Sequence, residues 1–215
     1  MADLKSTSMP ALAGYHTLRI LGRGAMGAVY EAVPFSDPTS RVAIKVIDQS
    51  GEIPHEVYLR FQKEAAVMGQ LYHPNIVTFL DLGAVKSIAE DDSNLGYFIV
   101  MELVRGRNLK EIITAGIKRG DELELLFRIG RQLASALDYT HGKNIVHRDL
   151  KPQNIIVSFP NQKISDAEAK LLDFGVAGLS QARQYVGDGR SSGIDDFAGT
   201  PLYMAPEQSG LTHWD

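Results

Sequence analysis

The sequence lacks cysteine altogether and contains a single tryptophan in 215 residues. The absence of cysteine excludes disulfides and thiolate metal sites, and it is compatible with a reducing compartment, so we expect a cytoplasmic location. The sequence also lacks any run of about 18 apolar residues, which a membrane-spanning helix would need. We therefore expect no membrane segment within this chain, while an anchor encoded after residue 215 stays open.

A strong charge of either sign is also lacking. The chain has 22 basic and 26 acidic residues, a net charge of −4, which argues against a nucleic-acid partner because such proteins are usually basic. Hydrophobic residues make up 44% and charged residues 22%, a balance typical of globular domains with a sizeable core. Residues 1–14 are small and polar without the apolar centre of a signal peptide, and we expect a flexible lead-in there.

Residues 145–154 read IVHRDLKPQN and concentrate the polar groups that phosphoryl transfer requires. Asp149 could accept a proton from a substrate hydroxyl, Lys151 could neutralise a phosphoryl group, and the amide oxygen of Asn154 could ligate a divalent metal. Phosphoryl transfer depends mostly on positioning and charge neutralisation rather than on covalent catalysis. A solvated polar loop after a helix is the alternative interpretation.

A glycine-rich stretch, GRGAMGAVYEAV, lies near the start of the chain, with the pattern G-x-G-x-x-G at Gly22, Gly24 and Gly27. Glycine allows the backbone to approach a phosphate closely, but dinucleotide-binding folds share this pattern, and there it opens a helix. Here residues 28–33 favour a strand and Pro34 follows. We therefore predict strand, turn and strand, with a dinucleotide turn or a plain hairpin as alternatives.

One lysine interrupts the apolar run at residues 41–48, RVAIKVID. Lysine is rarely buried without an anionic partner, so we predict a partner for Lys45 on the next helix, residues 55–71. Glu64 is the preferred partner, because Glu56 lies in the first turn, where an acidic side chain suits the helix dipole instead. An edge-strand lysine that points to solvent is the alternative.

Two further motifs follow the polar loop in a fixed order. Residues 173–175 read DFG, and residues 199–207 read GTPLYMAPE. In order and spacing, the motifs of residues 15–207 resemble those of a eukaryotic-type serine/threonine protein kinase of the kind found in bacteria. Lys151 two residues after Asp149, and Thr200, are typical of the Ser/Thr-specific members.

The resemblance implies an α+β, protein-kinase-like fold of two lobes with ATP between them. The N-lobe, residues 15–103, would be an antiparallel sheet with one helix, and residues 104–215 would form an incomplete, mainly helical C-lobe. It implies transfer of the ATP γ-phosphoryl group to Ser or Thr hydroxyls of protein substrates. An alternative is a nucleotide-binding pseudokinase, a regulatory module or an inactive fragment.

The resemblance also assigns the roles of individual residues. Lys45, held by Glu64, would position phosphates, Asp149 would accept the hydroxyl proton, and Lys151 would neutralise charge. Magnesium would be held by Asn154 and Asp173. ATP would contact the glycines of the glycine-rich stretch and five further positions, with the adenine edge at the last two: Val29, Ala43, Met101, Glu102 and Val104.

Substrate docking and regulation are implied for Arg148, Asp196, Thr200 and Glu207. Arg148 usually calls for an anion from the activation loop, and we hypothesise that Asp196 partly substitutes for a phosphate there. The chain ends eight residues after Glu207 (215 − 207), so we expect a fragment truncated after the A-P-E motif.

The spacing of Leu125, Ile129, Leu133 and Leu137 predicts a helix over residues 122–141 with one apolar stripe. The resemblance implies that this stripe takes its cover largely from helices encoded after residue 215. His73, in HPN after the preceding helix, is expected to be a structural turn residue.

Overall fold

The computed structural model places two compact units in the chain, Met1–Tyr58 with Thr78–Leu103 and Leu59–Val77 with Val104–Asp215. It describes the following residues: 10, 12–24, 27–47, 65–66, 68–85, 96–117, 120–147, 149–173 and 203. The predicted domain bounds, 15–103 and 104–215, stay predictions.

The first unit is built on a five-stranded antiparallel sheet with the strand order β1-β2-β3-β5-β4. Its strands are rich in valine, isoleucine, tyrosine and phenylalanine, a composition that favours strands. The strands are β1 (Tyr15–Gly24), β2 (Gly27–Pro34), β3 (Val42–Ile47), β4 (Phe79–Val85) and β5 (Gly96–Glu102).

One face of this sheet carries the core of the first unit. Val42 and Ile44 of β3 pack with Phe98 and Val100 of β5 and with Ala32 of β2. Because side chains alternate between the two faces of a strand, Ala43 and Lys45 of β3 belong to the opposite face of the sheet.

The described part of the second unit contains a three-stranded sheet and two complete α-helices. The antiparallel strands β6 (Arg107–Asn108), β7 (Ile155–Ser158) and β8 (Glu168–Leu171) follow one another in the sheet. Helix α1 (Leu109–Ala115) begins at an Asn108 cap, whose side chain accepts the N–H of Glu111 at 2.9 Å and donates to the Glu111 carboxylate at 2.7 Å. Helix α2 (Glu122–His141) has the predicted bounds.

The apolar stripe of α2 is covered by the chain's own residues. Leu125 and Ile129 are 1% and 3% exposed and share a core with Val157, Ala169 and Leu171, while Leu133 and Leu137 are half-buried against it. For Leu125 and Ile129, the expectation of cover largely from helices after residue 215 is therefore wrong, because residues of β7 and β8 share their core. Leu133 and Leu137 stay partly exposed. Three apolar side chains near the start of α2 are exposed: Leu123, Leu126 and Phe127.

The predicted α+β class is confirmed. The apolar run that starts at Ile76 would predict a strand from that residue, but β4 begins at Phe79, because Ile76 instead forms a parallel bridge with Leu171 of β8. Of the predicted helix 55–71, residues 65–66 and 68–71 are described. Residues 65, 66 and 68 are helical, and a turn at residues 69–70 follows them, so the helix ends before the predicted residue 71. Among the helices that the structure describes, none is long and apolar enough to cross a membrane.

The pair Gly83 and Phe98 gives a prediction about packing in the first unit. A Cβ atom at Gly83 would lie 2.6 Å and 2.7 Å from the Cε atoms of the Phe98 ring, which is 1% exposed. We expect Gly83→Ala to lower the free energy of unfolding by about 1–3 kcal/mol, because an overfilled core must shift. Thermal or urea unfolding measures the change.

The matched control is Gly130→Ala on α2, where a Cβ atom meets nothing within 4 Å. Because glycine is unfavourable in a helix interior, this variant should instead be stabilised by about 0.5–1 kcal/mol. Equal stability of the two variants would contradict the packing interpretation.

Candidate active site

The glycine-rich stretch forms the end of the β1–β2 hairpin. Gly22 pairs with Val29 and Gly24 with Gly27, and both flanking segments are strands. Gly27 has φ +127°, a conformation that L side chains rarely adopt. The prediction of strand, turn and strand is confirmed, and the dinucleotide-binding turn is excluded because no helix follows Gly27 in the described residues 27–47.

Four of the residues predicted to contact ATP lie on one face of the first unit's sheet. Lys45 pairs across the strands with Val29 on one side and with Ile99 on the other. Ala43 pairs with Met101 in the next row of the same face. Directly paired residues share a sheet face, so the lysine ammonium and a largely apolar surface are brought together opposite the core.

The residues predicted to bind the adenine edge fall at the end of β5. The Glu102 side chain accepts hydrogen bonds from the Thr78 N–H at 2.8 Å and the Thr78 hydroxyl at 2.9 Å. The Glu102 N–H donates to the Thr78 carbonyl at 3.0 Å, so this N–H is engaged within the first unit. Val104 is half-buried and begins the next segment of the second unit.

In the second unit, Asp149 stands at the centre of a cluster of polar contacts. Its Oδ2 atom lies 2.7 Å from the Lys151 ammonium and accepts a hydrogen bond from Asn154 Nδ2 at 2.9 Å. The same Nδ2 donates to the Asp149 carbonyl at 2.8 Å. The three predicted residues of the polar loop are thus brought together, and the alternative of a merely solvated loop is not favoured because Asn154 is 6% exposed.

The donor chemistry of Asn154 and Asp173 suits magnesium. Because the Asn154 amide nitrogen donates to Asp149, the other amide atom, Oδ1, is the one available as a ligand, and Asp173 offers a carboxylate. Magnesium prefers such oxygen ligands and commonly takes only one or two carboxylates in addition to water and phosphate. Within the described part of the chain, no group of three or more His, Cys, Asp and Glu side chains could hold a metal ion.

The polar loop is tied to the strand that leads to Asp173 by a buried histidine. His147 is 2% exposed, and its Nε2 lies 2.7 Å from the Leu172 carbonyl, while its Nδ1 lies 3.2 Å from the Asp149 N–H. Since a carbonyl only accepts and an N–H only donates, the neutral tautomer with the proton on Nε2 fits both partners. The Leu172 N–H in turn donates to the Asn154 carbonyl at 2.8 Å.

Burial lowers the pKa of His147, although the hydrogen bond to the Leu172 carbonyl and the carboxylates of Asp149 and Asp173 act in the opposite direction. Burial also lowers the pKa of His73, assisted by the charge of Lys170. His73 accepts the Asn75 N–H at 3.1 Å through Nδ1. The prediction that His73 is a structural turn residue is confirmed.

Several predicted site residues lie outside the described part of the chain. The proposed pairing of Lys45 with Glu64 is therefore not placed, nor is the pairing of Arg148 with Asp196. Thr200 and Glu207 are outside it as well, as are the second and third residues of the DFG motif.

The sequence motifs, the five-stranded sheet with its glycine-rich hairpin and the polar loop around Asp149 together define a protein kinase fold. The protein kinase domain family matches residues 15–212, and the chain belongs to that family. Membership implies ATP as the phosphoryl donor, typically with magnesium, and protein substrates.

Individual relatives come from plants and bacteria. The chain is 34% identical over 196 residues to CBL-interacting protein kinase 19 of Oryza sativa subsp. japonica, a match of 91% of this chain and 34% of that protein. It is 36% identical over 196 residues to serine/threonine-protein kinase pkn3 of Myxococcus xanthus, with 91% and 33% covered. The chain thus spans about a third of the length of these curated relatives.

Among solved structures, a double mutant of the Mycobacterium tuberculosis PknI kinase domain aligns with a TM-score of 0.65 and 28% sequence identity. The alignment covers 95% of this chain and 69% of that one. This likeness agrees with the predicted two-lobe kinase fold.

His147 is a site residue for which the sequence predicted no role of its own. The signal was present, because His147 follows Ile145 and Val146 and precedes the charged residues, and a histidine at the end of an apolar run needs partners for both ring nitrogens. The sequence could not name the Leu172 carbonyl as a partner, because this contact joins residues 25 positions apart.

The lowered pKa of His147 gives a prediction about pH. The ordinary value is 6.5, and the folded-state value lies below it, so on acidification the unfolded chain takes up the proton first. The stability that neutral His147 provides is therefore complete above pH 6.5 and is lost as the pH falls through its folded-state pKa. We expect the melting temperature of the chain to fall between pH 7.5 and pH 5.5.

The variant His147→Phe separates this contribution from the rest. It should be less stable at pH 7.5 by about 1–3 kcal/mol, because the half-buried Leu172 carbonyl loses its donor, and its melting temperature should depend less on pH. The control His141→Phe, at the exposed end of α2, should keep the pH dependence of the unmodified chain. An identical pH dependence in both variants would exclude His147 as the titrating group.

Proposed function

We propose that this chain carries the catalytic domain of a serine/threonine protein kinase, which transfers the γ-phosphoryl group of ATP to a Ser or Thr hydroxyl of a protein substrate. The observation that carries the proposal is the cluster of Asp149, Lys151 and Asn154, held to the strand before Asp173 by His147. Such a cluster places a base, a cation and metal ligands within one small region.

In this proposal Asp149 orients the substrate hydroxyl and accepts its proton. The hydroxyl oxygen forms a bond to the γ-phosphorus, the bond from that phosphorus to the bridging oxygen breaks, and ADP leaves. The hydrogen bond from Asn154 Nδ2 and the ion pair with Lys151 fix the direction of the carboxylate. Fixed geometry matters, because a misplacement of about 1 Å can cost about a hundredfold in rate.

Lys151 neutralises charge that develops on the transferred group, and Asn154 and Asp173 hold magnesium. When bound, magnesium neutralises the phosphate oxygens and lowers the charge that opposes attack. Lys45, which lies on the same sheet face as Val29 and Ala43, binds the nucleotide phosphates, with the apolar part of that face against adenine.

The alternative of a nucleotide-binding module without catalysis gains no support from these contacts. Such a module has no need to hold Asp149 with both an amide and an ammonium. The cytoplasmic location and the absence of a nucleic-acid partner remain predictions from composition.

The first test concerns Lys45. We expect Lys45→Met to abolish phosphoryl transfer, because the nucleotide phosphates lose the cation that positions them. Transfer of radioactive γ-phosphate from ATP to the chain itself and to a Ser/Thr-containing protein measures the effect. The matched control is Lys163→Met, the same change at an exposed turn residue, which should retain transfer. Retained autophosphorylation in the Lys45 variant would refute this assignment.

The second test concerns Asp173. We expect Asp173→Asn to keep adenosine binding but to lose magnesium-dependent ATP binding and turnover, because an amide is a neutral and weaker ligand than a carboxylate. Isothermal calorimetry with and without magnesium separates the two properties. The control Asp138→Asn changes an exposed carboxylate on α2 and should behave like the unmodified chain. Unchanged turnover of the Asp173 variant at saturating magnesium would remove it from the metal site.

A further inference from the structure

A polar side chain of α2, Gln132, lies within the apolar stripe that faces β8. Its Oε1 atom accepts hydrogen bonds from the Ala169 N–H and from Asn75 Nδ2, both at 2.8 Å. Its Nε2 donates to the Ala167 carbonyl at 2.8 Å. Three of the hydrogen-bonding positions of this one amide therefore serve to connect α2, the segment at Asn75 and the strand β8.

These contacts complete one edge of β8. Its other edge pairs with β7 in an antiparallel ladder. On the edge away from β7, the Leu171 N–H donates to the Asn75 carbonyl at 2.9 Å, and the Leu171 carbonyl accepts the Val77 N–H at 3.0 Å. No further backbone partner is described for the next residue on that edge, Ala169. Its partners are instead the side-chain amides of Gln132 and Asn75.

Ala169 is held from both directions. Its N–H donates to Gln132 Oε1 at 2.8 Å, and its carbonyl accepts from Asn75 Nδ2 at 2.9 Å. Because Ala169 is fully buried, these backbone groups are shielded from water and depend on the two amides. Arg128 adds a hydrogen bond to the Ala167 carbonyl at 2.7 Å, which fixes the start of the strand.

The strand continues directly to the predicted metal ligand. Leu172 is bracketed by the Asn154 carbonyl and the His147 ring, and Asp173 follows with φ +58°. A displacement of β8 along its axis would break the hydrogen bonds of Leu172 with Asn154 and His147. It would also displace the Asp173 carboxylate. The position of Asp173 therefore depends on what fixes β8.

We propose that Gln132 is a positioning residue for Asp173: its amide, together with Asn75, fixes strand β8 and thereby the carboxylate that holds magnesium. The inference rests on the proposed function, since it takes Asp173 as the ligand. Gln132 acts through β8 and belongs to the shell of hydrogen bonds behind the metal ligands. Loss of such a shell typically lowers metal affinity by about 10–100-fold.

The test compares the whole chain with the variant Gln132→Met, which keeps the length of the side chain and removes its hydrogen bonds. The matched control is Arg131→Met, the same product at the neighbouring exposed position of α2. Two properties are measured: amide hydrogen exchange of residues 168–173, and binding of a non-hydrolysable ATP analogue over a range of magnesium concentrations.

We expect the Ala169 and Leu172 amides of Gln132→Met to exchange faster than in the unmodified chain. We expect the magnesium concentration for half-maximal analogue binding to rise about tenfold, while analogue affinity without magnesium stays unchanged. Arg131→Met should match the unmodified chain in both properties. Faster exchange at Ala169 with unchanged magnesium dependence would overturn the proposal, because Gln132 would then support the strand without positioning Asp173.

The variant Asn75→Ala keeps the inference testable if Gln132→Met does not fold. It removes the donor to the Ala169 carbonyl, and we expect a smaller shift of the magnesium dependence in the same direction; no shift would count against the proposal. Phosphoryl transfer by the unmodified chain is measured in parallel. If the unmodified chain binds the analogue with magnesium but transfers no phosphate, the proposed function fails while the positioning role of Gln132 stands.

Discussion

The burial of Ala167, Ala169 and Leu171, just before and within β8, is the constraint on which the proposed site depends. All three residues are 0% exposed, so their backbone N–H and carbonyl groups must find partners inside the protein. One edge is satisfied by β7 and the other by side chains from α2 and by residues 75–77. The strand that leads to the DFG motif is therefore fixed by hydrogen bonds along both edges, in addition to its apolar contacts.

The same logic of obligatory partners explains the polar loop. Asn154 and His147 are buried polar residues, and each donates to one backbone carbonyl, of Asp149 and of Leu172 respectively. Their remaining hydrogen bonds reach the Asp149 carboxylate and the Asp149 N–H. Since an unsatisfied buried polar group costs more free energy than a satisfied one gains, the loop and the end of β8 stabilise each other, and Asp149 is oriented as a result.

Much of this could be predicted from the sequence, because the signals were local. The hairpin at Gly24 and Gly27 follows from strand-forming residues on both sides, and α2 follows from apolar residues spaced four apart. The hydrogen bonds of Gln132 and Asn75 to Ala169 could not be predicted from the sequence, since they join residues 37 and 94 positions apart in the chain. A polar residue inside an apolar stripe indicates a buried partner but cannot identify it. The late start of β4 has the same origin, because only the fold reveals the bridge from Ile76 to Leu171.

The conformation of Asp173 shows why the hydrogen bonds around Leu172 matter. Asp173 has φ +58°, and two other non-glycine residues, Asn144 and Gln162, have φ values within two degrees of it. Those two residues lie in exposed turns, whereas Asp173 lies just after the end of strand β8. A non-glycine residue in this region costs about 1–3 kcal/mol unless its surroundings determine it. The residue before Asp173 is fixed in this way: the Leu172 N–H donates to the Asn154 carbonyl, and the Leu172 carbonyl accepts from His147. These two hydrogen bonds constrain the backbone at Asp173. The unusual φ turns the chain out of the strand direction at Asp173, and the backbone hydrogen bonds of Leu172 therefore help to determine where the Asp173 carboxylate lies.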